Sequence, residues 1–149
     1  MNSVTTVREL SPDEAAEQIY AAHAHEGAWL DAFAESLDRR RVSRSFARTM
    51  EVWGLSQAEA ARLFGVSRQA LAKWVQRGIP SDRVQAVADL AAATDLLVHY
   101  LKRDRIPAVV RRPISALGEA SLVDLLARDD TRTLLATCRE MFRFEHTHA

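Results

Sequence analysis

Apolar residues in this chain recur three and four positions apart, and no stretch alternates apolar with polar over five or more residues. That is the period of a helix and not of a half-buried strand, so the chain reads as all-α. Capping signals then divide it. Ser11-Pro12-Asp13-Glu14 opens a first helix: a hydroxyl to accept a free N–H, a proline whose missing N–H is no loss in the first turn, and a Glu three residues after the cap. This helix is expected to stop near Gly27. A second, with Trp29, Leu30, Phe33 and Leu37 on one face, runs into Arg39-Arg40-Arg41, and a third carries Phe46, Met50 and Trp53 and ends at Gly54.

Beyond residue 78, Ile79-Pro80-Ser81-Asp82 breaks the pattern, and Ser81 is expected to cap a long helix reaching about Leu101. Its stripe of Val84, Val87, Ala91, Thr94, Val98 and Leu101, flanked by Leu90 and Leu97, suits a core face. The same spacing suits a short helix pair, which leaves a homodimer open. Arg105 to Gly118, with two prolines and one glycine, reads as an extended connection. A short helix capped by Ser121 with Asp124 three residues on follows, then a last one with Leu134, Leu135, Cys138, Met141 and Phe142 on one face. The expected organisation is a helical domain over 1–81, a connecting helix over 82–101 and a small helical domain over 102–149.

The length of 149 residues, with 48% apolar and 27% charged, is enough for a packed core and unlike a disordered chain. No run approaches the ~20 apolar residues that span a bilayer, and Met1 to Leu10 lacks the basic flank and apolar run of a signal peptide, so a cytoplasmic, nucleoid-associated protein with no membrane partner is expected. A single Cys138 precludes an intrachain disulfide and a multi-cysteine zinc site. The net charge of zero hides a strong asymmetry. Residues 1–38 carry one basic side chain against eight acidic, 39–83 carry ten against three, and 84–149 carry nine of each. A net +7 in the middle segment is the electrostatic footprint of a nucleic-acid-binding surface. The acidic first segment is expected to complete the core with its two amphipathic helices; repelling DNA or offering a partner surface is the alternative.

Within the basic segment lies Leu55 to Gly78. Ser56 and Glu59 are spaced as a capping box, Gly65 ends that helix where the backbone needs positive φ, and Ser67 caps a second helix after a three-residue turn. Ala61 is small where the two helices cross, and Val66, Leu71 and Trp74 lock the second helix onto the first. Arg68, Gln69, Lys73 and Arg77 remain outward. Arg39, Arg40, Arg41, Arg44 and Arg48 extend the basic area, with phosphate contact expected of some of them.

On Gln57, Ala61, Gly65, Val66, Leu71 and Trp74 at their intervals, this stretch resembles the helix-turn-helix of bacterial and phage repressors. The resemblance implies a sequence-specific repressor on double-stranded DNA, its second helix in the major groove with Ser67, Arg68, Gln69, Ala70 and Lys73 against the bases. Arginine can contact guanine and glutamine adenine bidentately, and Ala70 could meet a thymine methyl. It also implies that Gln57 bonds a phosphate at the positive end of its helix.

Pro113, Ala116-Leu117-Gly118, Ser121-Leu122, Asp124-Leu125-Leu126 and Asp129-Asp130 resemble the C-terminal domain of the Xre/MbcA/ParS antitoxin family, over roughly 106 to 144. Glu119 stands where that family usually has a second glycine. The resemblance implies either an antitoxin that neutralises a RES-class toxin and represses its own operon, or a repressor similar to actinobacterial phage immunity repressors, in which this unit serves DNA binding. Lys102, Arg103, Arg105, Arg111 and Arg112 stand against the single acid Asp104 in this region. They read as a solvated loop or as a second DNA contact along the phosphate backbone. With both surfaces engaged, one chain would cover a long site without obligatory dimerisation.

No constellation points to catalysis, a cofactor or a metal. His23 and His25, two apart on a helix, face different ways, and His146 and His148 sit at the end of the chain. Cys138 lies among apolar residues with nothing nearby to activate it. There is no phosphate-cradling glycine loop, no G-x-S-x-G and no H-E-x-x-H, and a non-enzymatic protein is expected.

Overall fold

The structure, a computed structural model, describes residues 7–143 and separates into two compact units, Met1–Asp38 and Arg39–Ala149. It is all-α: among the described residues the only β feature is one bridge between Ile114 and Ala120. His146 and His148 lie outside the described residues.

The first unit holds helix α1 (Pro12–Ala22) and the opening turns of α2 (Gly27–Trp53). Ser11 accepts the Glu14 N–H at 3.2 Å while the Glu14 carboxylate accepts the Ser11 N–H at 3.3 Å, the reciprocal cap its sequence announces. The helix ends at Ala22, short of Gly27, because His23 leaves the helical path and stacks on Trp29, ring centroids 3.4 Å apart, with Nδ1 bonded to the Glu26 carboxylate. No described side chain of this unit is buried, and Tyr20 is 66% exposed. Every buried residue among those described lies at Ser43 or beyond.

The expected second and third helices are one. Arg39 to Val42 offers neither glycine nor proline to stop a helix, and arginine is a good helix former, so α2 runs on to Trp53. The second unit continues with α3 (Gln57–Phe64), α4 (Arg68–Arg77), α5 (Val84–Tyr100), α6 (Ile106–Val109), α7 (Leu122–Ala127) and α8 (Thr131–Met141). Ser81 does not cap α5. It opens a 3-10 turn, Ser81–Arg83, whose Arg83 N–H bonds the Pro80 carbonyl at 3.0 Å. Nor is Arg105 to Gly118 extended: Pro107 sits in the first turn of α6, where its missing N–H costs nothing.

One core serves this unit. Phe46 and Trp53 from α2, Leu71 from α4, Leu90 and Leu97 from α5, and Leu122, Leu126 and Leu134 from the last helices are all essentially inaccessible. The divisions expected near 81 and 101 therefore separate no cores, and the compact units part at residue 38 instead. Val87, Leu90, Thr94 and Leu97 put the apolar stripe of α5 inside, as a core face, with Tyr100 stacked on Phe142 where α5 runs along α8. Trp53 is the centre of a small polar network: its indole N–H donates to Thr94 Oγ1 at 3.0 Å, and that hydroxyl donates to the Leu90 carbonyl at 2.7 Å. Buried Cys138 behaves as a small hydrophobe, its thiol pushed up to about 12 by burial.

Ser121 and Asp124 cap α7 reciprocally, and Asp124 is held below the usual carboxylate range by the Ser121 N–H and hydroxyl. Just before that cap, Gly118 has φ 65° and Glu119 φ 72°, two consecutive left-handed residues that let the Ile114 N–H reach the Ala120 carbonyl at 3.1 Å. A side chain in that conformation is strained, which explains why a glycine at position 119 suits this turn. Glu119→Gly is expected to raise stability by about 0.5–1 kcal/mol, once glycine's greater freedom in the unfolded chain is set against the strain; a shift in denaturant midpoint at constant slope is the readout.

Candidate nucleic-acid interface

The helix pair α3–α4 is built from local signals. Ser56 accepts the Glu59 N–H at 3.1 Å, Gly65 ends α3 at φ 67°, and Ser67 accepts the Ala70 N–H at 3.0 Å to start α4. Phe46, Phe64 and Trp74 then meet edge to face in a cluster of three rings, at centroid separations of 5.3 to 5.9 Å, which fixes the α4 axis against α2 and α3. Buried Ser43 of α2 donates to the Trp74 carbonyl, and Arg83 lies over the Trp74 ring with one N–H on the Phe64 carbonyl. Packing inward through Leu71 and Trp74 leaves Arg68, Gln69, Lys73 and Arg77 exposed on the other side of α4.

All the sequence-derived candidates but Arg111 fall into three groups. Gln57, Ser67, Arg68, Gln69, Lys73 and Arg77 are exposed on or beside α3 and α4, with Ala70 half-buried and Arg44 exposed on α2. Arg48 and Arg103 are exposed but face acids, Asp95 at 2.7 Å and Glu51 at 3.9 Å. Arg105 and Arg112 are exposed without such a partner among the described residues.

Arg111 is different. Its guanidinium donates to the carbonyls of Trp53 and Pro107, each at 2.8 Å, to Gly54 at 3.1 Å, and to both oxygens of Glu59 at 3.3 to 3.4 Å. One planar fork thus ties the end of α2, the start of α3 and α6 together. It also takes the Glu59 carboxylate that the expected capping box would have turned back on Ser56. Only the hydroxyl half of that box is formed. Arg111→Ala is expected to cost about 2–3 kcal/mol, because carbonyls of the Trp53–Gly54 helix end lose a charged donor; thermal unfolding without DNA should show the whole loss.

Among the described residues no three His, Cys, Asp or Glu side chains converge as a metal site, and no helix is long and apolar enough to cross a membrane.

No known protein-family model matches the chain, and no curated protein matches it significantly. Among solved structures, the chain is similar to one in the crystal structure of the M. tuberculosis MbcT-MbcA toxin-antitoxin complex. The match has a TM-score of 0.54 and 23% identity, and covers 66% of this chain and 91% of that one. At that identity the likeness is one of fold.

Proposed function

We propose that this chain is a sequence-specific DNA-binding regulator that reads the major groove with α4 and represses transcription by occupying promoter DNA. The observation that carries this reading is α4 itself: a short helix started by Ser67, pinned from behind by the three-ring cluster, and presenting Arg68, Gln69 and Lys73 to solvent. The surplus of cations over residues 39–83 supports it independently. This is a binding role that asks for no catalytic group, cofactor or metal.

The fold likeness to a chain of a toxin-antitoxin complex favours a second, compatible reading: an antitoxin that binds a RES-class toxin and autoregulates through the same α3–α4 pair. The DNA surface is common to both. Co-expression with a RES-class protein encoded alongside, followed by size-exclusion chromatography, separates them. A stable complex supports the antitoxin, whereas separate elution with DNA binding intact leaves the repressor.

A further inference from the structure

Beside α4 lies an open groove of about 390 Å³, floored by Trp74, Ile79 and Pro80 and rimmed by Arg39, Lys73 and Arg77. No acidic side chain lines it. Elsewhere in the same unit three cations are engaged, Arg48 on Asp95, Arg83 on the Phe64 carbonyl, and Arg111 on Glu59 and three carbonyls. Arg39, Lys73 and Arg77 have no ion pair or side-chain hydrogen bond among the described residues. Three like charges held around an apolar floor repel one another and gain by sharing an anion.

The approach of Arg39 to the end of α4 depends on Gly78. That residue has φ 124° and ψ 157°, a conformation essentially restricted to glycine, and a Cβ there would lie 3.0 Å from Arg39 Cβ. The chain therefore uses its one backbone freedom at this point to bring an α2 cation beside two from α4.

We infer that this groove seats a backbone phosphate of the DNA flanking the base-reading surface, held by Arg39 and Arg77 with Lys73 at its rim. This rests on the proposed DNA-binding function and adds to it a defined phosphate seat that base readout does not need. Because phosphate contact carries no sequence information, losing the seat weakens binding to all duplexes alike.

The test compares wild type with Arg39→Gln/Arg77→Gln, both exposed positions, for binding to the DNA upstream of the coding sequence and to a scrambled duplex. One phosphate contact contributes about 0.9 to the slope of log affinity against log salt. Between 50 and 200 mM salt, wild type should therefore lose roughly threefold more affinity than the variant, with the ratio of specific to scrambled binding unchanged. In a second arm, neutral methylphosphonates replace single linkages in turn. One flanking position should weaken wild type and leave the variant unaffected. An unchanged salt slope, or equal sensitivity of both proteins at every linkage, overturns the seat while leaving DNA binding standing. A variant that loses sequence preference at unchanged slope overturns it too, by assigning Arg77 to base readout. No DNA binding by wild type overturns the seat and the proposed function together.

Discussion

Trp53→Ala should cost about 3–5 kcal/mol, the range for truncating a large buried aromatic. That is a large part of the 5–15 kcal/mol stability of an ordinary domain. Trp53 is 0% exposed, and its backbone carbonyl and side chain belong to different assemblies: the carbonyl takes Arg111 and the indole N–H takes Thr94. Removing the ring opens a cavity between α2 and α5 and takes the indole donor from the Thr94 hydroxyl, which keeps its bond to the Leu90 carbonyl and its 3.4 Å contact with the Thr49 hydroxyl. Trp53→Phe keeps most of the apolar volume and should cost less. Thr94→Val keeps the shape but strands the buried indole N–H, for about 1–3 kcal/mol. Denaturant unfolding of the three variants should rank them with Trp53→Ala far the worst. A Trp53→Ala loss under 1 kcal/mol would mean the core does not close around this residue.

Arg68→Ala/Gln69→Ala should abolish preference for the operator while leaving the fold intact. Each bidentate side chain–base pair is worth about 1–3 kcal/mol of discrimination, so losing two lowers specific affinity roughly 30-fold or more. Binding to scrambled DNA, which rests on phosphate contacts, should fall far less. Both side chains are exposed at the start of α4 and neither supports the core, so thermal unfolding should be unchanged. Parallel losses on specific and scrambled duplexes would make α4 a phosphate-contacting helix and not a reading one.

The parts of this structure legible in the sequence are those with local causes. Ser11, Ser67 and Ser121 each cap a helix by accepting the N–H three residues on, and Gly54 and Gly65 follow the ends of α2 and α3 with positive φ, so the α3–α4 pair and its exposed face could be placed from spacing. The continuity of α2 was not legible as such, because a helix that fails to stop leaves no signal; only the absence of glycine and proline across Arg39-Arg40-Arg41 hints at it. The role of Arg111 was hidden for another reason. Its acceptors at Trp53 and Glu59 lie 58 and 52 residues away, and among five cations between 102 and 112 nothing local marks the one that bonds back onto α2 and α3. The shared core of the helix pair and the C-terminal helices is likewise a long-range fact, visible in apolar periodicity only as faces that must meet something. Glu119 is the instructive middle case: the departure from glycine is plain in the sequence, and its strain becomes plain only with φ in hand.

The most direct test of DNA reading by α4 is a salt-titrated binding measurement with purified protein, comparing the DNA upstream of its coding sequence with a scrambled duplex, for wild type and Arg68→Ala/Gln69→Ala. Tighter binding of wild type to its own upstream DNA, lost in the variant at every salt concentration, is the expected result. Equal binding of wild type to both duplexes would contradict self-repression through α4 and turn attention to a protein partner.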